Sequence, residues 1–191
     1  MFSRRCKYIV FGSLISLCSI GGIALLVQHL TQTTPAVITT YQPTIDSDTA
    51  WIKSFFKRNM WWLASEPMND FSLDYRFSHK VSSEYPEQAQ PMSTFMLKHH
   101  KQPIGFISYY KENTTVGKIL FVGIDESWRG HGYVVPLLNQ ATKDLCVQGC
   151  RFVDLVTRTQ NLAAQASYKK YGFYETGRNN EFVYFRFNCK S

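Results

Sequence analysis

Three rhythms of apolar and polar residues divide the chain. Between Tyr8 and Leu30 there is no Asp, Glu, Lys or Arg, and Tyr8–Val27 is almost wholly apolar. Some twenty such residues at about 1.5 Å each span roughly 30 Å, the hydrocarbon thickness of a bilayer. From Asp48, read as a helix start, the spacing becomes helical, with Trp51, Ile52, Phe55 and Phe56 on one stripe. A short strand at Val37–Tyr41 precedes it. Further strands follow at Thr94–Leu97, Ile104–Tyr110 and Lys118–Ile124, parted by turns at Lys101–Pro103 and Lys111–Thr115. Val134, Leu137, Leu138, Ala141 and Leu145 share the next helical face, which Gly149 stops. Phe152–Val156 reads as a strand. Asn161 and Gly172 have the residue types that open and close a helix, and Phe173–Thr176 with Phe182–Phe187 predict a final hairpin.

Antiparallel strands followed by a strand–helix–strand crossover predict an α/β class fold. Its central sheet is mixed and mostly antiparallel, with one parallel pair near the middle. Residues 61–92 have no clean period and contain Pro67, Pro86 and Pro91, so they read as a long, partly helical connection. The aromatics there (Trp61, Trp62, Phe71, Tyr75 and Tyr85) read as core positions before pocket lining. Thr-rich residues 31–42 read as a tether. The expected organisation is therefore 1–36, a basic N-terminus with a transmembrane helix at about 8–30 and a tether, then 37–191 as one domain.

Charge refines this picture. With 21 Lys+Arg against 14 Asp+Glu, the 191-residue chain carries a formal +7. Arg4, Arg5 and Lys7 sit directly before the apolar run, and no basic residue follows until Lys53. That bias favours a cytoplasmic N-terminus with the domain on the far side. A cleaved signal has a shorter apolar core and a small-x-small site, so an uncleaved anchor is the first reading. A cleaved signal and a buried helix of the domain are the alternatives. Lys53, Lys57 and Arg58 beside Trp51, Phe55 and Phe56 suit anionic headgroups, but an amphipathic helix covering a sheet uses the same residues. No zinc-finger or RNA-recognition signature appears, so nucleic acid is not an expected partner. Five cysteines, at 6, 18, 146, 150 and 189, make no CxxC pair, so neither a disulfide scaffold nor a structural zinc site is expected.

The chemistry lies on either side of the crossover. At Ile124–Val134 a strand ends, a loop with Gly130 and Gly132 follows, and a helix opens. Backbone N–H groups there lack intrahelical partners, and the helix dipole adds positive potential, so the turn suits a phosphate or pyrophosphate. Arg129 and His131 add side-chain donors. A dinucleotide fingerprint would need Gly at Val135, and a P-loop would need Gly-Lys-Ser/Thr. In the second cluster Asn161, Ala164 and Tyr168 share a helix face, with Gly172 and Phe173 behind them.

Arg-x-x-Gly-x-x at Arg129–Val134, followed by Asn-x-x-Ala-x-x-x-Tyr-x-x-x-Gly-Phe at Asn161–Phe173, closely resembles the GNAT superfamily of N-acetyltransferases. The strand ending in Val122-Gly123-Ile124 and the hairpin residues Ile104–Ile107 resemble the family's central strands. The resemblance covers about Val37 to Asn188, and Val134 stands where the family has Gly or Ala. It implies the GNAT fold, a parallel pair splayed at the cofactor site, and acetyl transfer from acetyl-CoA to a primary amine without a metal. The backbone of Arg129, Gly130, His131, Gly132, Tyr133 and Val134 would hold the CoA pyrophosphate. Val122, Gly123 and Ile124 would pair with the pantetheine arm and supply an oxyanion donor. Asn161 and Ala164 would contact the cofactor, and Tyr168 would protonate the departing thiolate.

The base that frees the amine is unassigned: Asp125 and Asp154 come first in sequence, then Glu112 and His131. The acceptor and the oligomeric state are also open. The competing reading is a membrane-tethered, catalytically degenerate GNAT-fold binding module, to which Val134 and the missing base point.

Overall fold

The computed structural model describes residues 35–64, Leu73, Phe77 and 92–190. The expected span at 8–30 lies outside the described residues, as do Phe71, Tyr75 and Tyr85. Among the described residues no helix is long and apolar enough to cross a membrane.

Alternating apolar residues build seven strands: β1 (Val37–Thr40), β2 (Ser93–His99), β3 (Gln102–Lys111), β4 (Val116–Ile124), β5 (Phe152–Arg158), β6 (Tyr174–Arg178) and β7 (Phe182–Asn188). They pair in the order β1-β2-β3-β4-β5-β7-β6, all antiparallel except β4 with β5. Three helices, α1 (Asp46–Leu63), α2 (Val134–Val147) and α3 (Leu162–Tyr171), complete the architecture. The mixed sheet and its single parallel pair follow the sequence expectation.

Each face of the sheet has its own core. On one side Ile52, Phe55 and Phe56 of α1 meet Met96, Phe106, Phe121 and Leu73. On the other, Leu137, Leu138, Ala141 and Leu145 of α2, with Tyr168 of α3, meet Ile107, Ile119, Val153, Leu155 and Phe185. The helical stripes predicted from spacing are thus the buried faces, and the basic residues of α1 lie on its uncovered side. The amphipathic-helix reading of Lys53–Arg58 accounts for that helix.

Two local expectations are corrected, and one bridge comes in that the sequence reading did not foresee. Helix α1 begins at Asp46, two residues before the expected start, and Asp48 lies buried within its first turn, 2.7 Å from Lys98 Nζ. Burial of a carboxylate demands a partner, and Lys98 on β2 supplies it. Trp61 and Trp62, expected in the core, end the same helix at 59% and 43% exposure, because α1 has already buried its apolar stripe. A disulfide joins Cys146 at the end of α2 to Cys189 after β7, while Cys150 is a buried free thiol. That bridge spans 43 residues of sequence, a separation no local spacing signals.

Close packing fixes Gly123. A Cβ built there would lie 2.5 Å from Phe55 Cε1 and 2.6 Å from its Cζ, and the Phe55 ring is held by Trp51 stacked at 5.0 Å. Gly123→Ala is therefore expected to destabilise the domain by about 1–3 kcal/mol, as overpacked cores do. Urea denaturation would show it as a lower midpoint at unchanged slope.

Candidate active site

The parallel pair is short. Only Val116–Lys118 of β4 pair with β5, opposite Phe152–Asp154, so the strands run on unpaired beyond Lys118. The parting coincides with a bulge: Tyr109 faces Ile119 and Ser108 faces Phe121, leaving Leu120 as the extra residue. A bulge bends its strand and increases local twist, which turns β4 away from β5. Ile119 and Phe121, two apart in sequence, consequently pack on opposite faces.

Backbone alternation shows what β4 offers to the gap. Asp125 N–H donates to Ile104 O at 2.8 Å, so along an antiparallel ladder Gly123 and Phe121 also face β3. Val122 and Ile124 must therefore direct their N–H groups towards the gap, where no strand pairs with them among the described residues. This is the stretch expected to receive an extended ligand and to supply an oxyanion donor.

The loop after β4 is built around unused donors. Asp125 caps a 3-10 turn at Glu126–Trp128, accepting from Ser127 N–H at 3.3 Å and Ser127 Oγ at 2.9 Å. Gly130 and Gly132 take φ of 82° and 79°, conformations that side chains rarely adopt. From Gly130 to Val134 five successive backbone N–H groups find no protein acceptor among the described residues. No side chain caps α2, whose first turn also contains Pro136. Consecutive free N–H groups at a helix start form an anion-binding concavity. Val134 packs its side chain against the core beneath α2. Its branched side chain is therefore partly taken up by that core.

Two expected side-chain donors separate. Arg129 turns to the protein, donating from Nε to Ile124 O at 3.0 Å and from Nη2 to Asn59 Oδ1 at 2.9 Å. His131 stays exposed on the loop.

The second cluster forms as its spacing predicted. Asn161 caps α3, accepting from Ala164 N–H at 3.2 Å, and Gly172 ends it at φ 122°. Ala164 and Tyr168 lie on the buried face. The Tyr168 ring is 6% exposed and packs on Phe173 and Phe185. Its hydroxyl has no hydrogen-bond partner among the described residues, yet it is not one of the polar atoms sealed from solvent. Burial pushes the phenol pKa up, so the group stays protonated at neutral pH and has a proton to donate.

The carboxylates considered as bases are engaged. Asp125 also meets Arg58 Nη2 at 3.3 Å. Asp154 makes a bidentate pair with Arg186, both contacts at 2.7 Å, and Glu112 meets Lys118 at 3.2 Å. Arg158, which no sequence motif marked, lies buried at the end of β5 and bonds the end of α1.

Comparison with known proteins agrees with this geometry. The family model described as Acetyltransferase (GNAT) family matches residues 57–173. Among curated proteins, none matches the chain in sequence. Among solved structures, Ard1 from Thermoplasma volcanium is similar with a TM-score of 0.64 at 20% identity, covering 83% of this chain and 100% of that one. The NatC complex bound to Gag peptide and CoA gives 0.62 at 20% identity, covering 82% of this chain and 100% of the matched one. The ribosomal-protein-S18-alanine N-acetyltransferase from Escherichia coli gives 0.59 at 16% identity, covering 82% and 96%. At these identities the likeness is one of fold.

Proposed function

The chain belongs to the acetyltransferase (GNAT) family, and from that premise we propose that it transfers an acetyl group from acetyl-CoA to a primary amine by direct attack. The observation that carries this reading is the run of five unpartnered N–H groups from Gly130 to Val134, set beside the open edge of β4. A pyrophosphate would satisfy the run, and an extended pantetheine arm would satisfy Val122 and Ile124 as a strand does. The thioester carbonyl would then lie against one of those N–H groups, placed to stabilise an oxyanion.

In the reaction the amine nitrogen bonds to the thioester carbon and the carbon–sulfur bond breaks. The thiolate leaves with the phenolic proton of Tyr168, and the amine gives up its own proton. Among the described residues Asp125, Asp154 and Glu112 are each ion-paired, so no base is assigned to take that proton. Isothermal titration of the full chain with CoA is expected to show binding, and Gly132→Val is expected to weaken it at least about 10-fold by forcing a β-branched residue into positive φ and so distorting the loop. Absence of binding in the parent chain would sink the proposal. Binding without turnover across polyamines, peptide N-termini, lysines and aminoglycosides would favour the degenerate, tethered module, which the ion-paired carboxylates support.

We further infer that the domain is held at a membrane by residues 8–30 and works on the oxidising side. Two independent features support this: the basic cluster preceding the apolar run, and the Cys146–Cys189 bridge, a type of bond that persists outside reducing compartments. Acetyl-CoA would then have to be supplied on that side. Maleimide labelling of the denatured chain from freshly lysed cells is expected to add two labels only after reduction, while all five cysteines labelling without reductant would overturn it.

A further inference from the structure

The last turns of α1 are fastened to both strands that part. Helix α1 lies over β3, β4 and β5 and bends at Asn59, whose φ and ψ are −124° and 16°. Asn59 holds the bend from both directions: its Nδ2 donates to Phe55 O at 3.0 Å, and its Oδ1 accepts from Arg129 on the β4 side. On the β5 side Arg158 is 5% exposed. Its Nε donates to Trp61 O and its Nη2 to Ala64 O at 3.1 Å. The guanidinium stacks 3.6 Å from the Trp61 ring centroid, with Phe182 at 5.1 Å.

Arg158 pairs with no carboxylate among the described residues. The end of α1 takes that role, because its terminal carbonyls carry the negative end of the helix dipole. A cation held over Trp61 that also makes two directed bonds suits a guanidinium; a lysine ammonium offers a point charge on a flexible stem. The result is a bent helix end strung across the gap, tied by Arg129 on one lip and by Arg158 on the other.

We propose that Arg158 is a positioning residue that keeps the end of α1 across the splayed strands, excluding water from the thioester and fixing the approach of the amine. The proposal rests on the acetyl-CoA reading given above. If α1 loosens, water oxygen can attack the thioester carbon. The carbon–sulfur bond then breaks, yielding acetate and free CoA with release of one proton.

The test uses the full chain with Arg158→Lys, Arg158→Met and, on the opposite lip, Asn59→Ala. Acetyl-CoA affinity is measured by calorimetry, CoA release without amine by a thiol reagent, and acetylation with spermidine and a free-N-terminus tetrapeptide as probes. Both Arg158 variants and Asn59→Ala are expected to raise amine-free release at least about 5-fold, with acetyl-CoA Kd within about 2-fold of the parent. For any probe the parent acetylates, its KM should rise at least about 5-fold at unchanged KM for acetyl-CoA. Unchanged amine-free release at retained affinity would overturn the proposal. Loss of affinity in step with release would make Arg158 a general support of the fold and overturn it equally. Should the Arg158 variants fail to fold, Asn59→Ala decides, and flat release there overturns the proposal. A parent chain that does not bind acetyl-CoA refutes the underlying reading instead.

Discussion

Replacing Tyr168 by Phe is expected to lower kcat by about 10²-fold or more, the usual contribution of a positioned proton donor, while CoA affinity stays within about 3-fold. The split follows from where the hydroxyl sits. Ring packing on Phe173 and Phe185 does not involve it, and no group among the described residues bonds it, so its removal is expected to leave the fold and the loop donors intact. On the proposed mechanism it removes only the proton offered to the departing thiolate. Steady-state kinetics beside calorimetry measures both quantities, and an unchanged kcat takes Tyr168 out of the mechanism. The pH profile supplies the sign check. Because burial raises the phenol pKa above its ordinary value near 10, Tyr168 stays protonated through neutral and moderately alkaline pH. The parent kcat/KM should therefore climb with pH as the amine deprotonates, with no falling limb before about pH 10. A falling limb between pH 7 and 9 would contradict the assignment.

Phe56→Ala should cost about 3–5 kcal/mol of stability, the range for an aromatic deleted from a packed core. Phe56 is fully buried and meets Phe121 at 4.9 Å, Phe106 at 5.7 Å and Phe77 at 6.0 Å. It belongs to the cluster that joins α1 to its face of the sheet, so the cavity left behind has little with which to collapse. Chemical denaturation gives the number, and a loss below about 1 kcal/mol would mean that α1 is held chiefly by its polar ties.

Much of this architecture was readable from spacing. The stripe Leu137, Leu138, Ala141 and Leu145, and the pair Asn161 and Gly172, act through local rules, namely helical periodicity and caps, and they behave as those rules require. Tyr168 shares a helical face with Asn161 and Ala164, but only the resemblance to the GNAT superfamily marked it as a candidate proton donor. What escaped depends on tertiary placement. Arg158 is one charged residue at a strand end, and nothing local announces that a helix beginning over a hundred residues earlier will end against it. Trp61 and Trp62 were misplaced because aromatic character predicts burial only while a helix has a buried face left to fill. Cys146 and Cys189 carry no spacing signal, since two elements distant in sequence bring them together. Asp125 and Asp154 were base candidates by nearness in sequence alone, and their partners Arg58 and Arg186 lie across 67 and 32 residues of chain.

Leu120 shows how little separates this parted pair of strands from a better-knit sheet. The pairs on either side of it, Ile119 with Tyr109 and Phe121 with Ser108, would be consecutive rungs if the intervening residue were absent, and every side chain would still face its present layer. What would vanish is the bend that keeps two parallel neighbours from zipping together. Selection for rigidity alone would excise that codon, heal the ladder and close the cleft; its presence marks a position where the chain gives up cohesion to keep a door ajar.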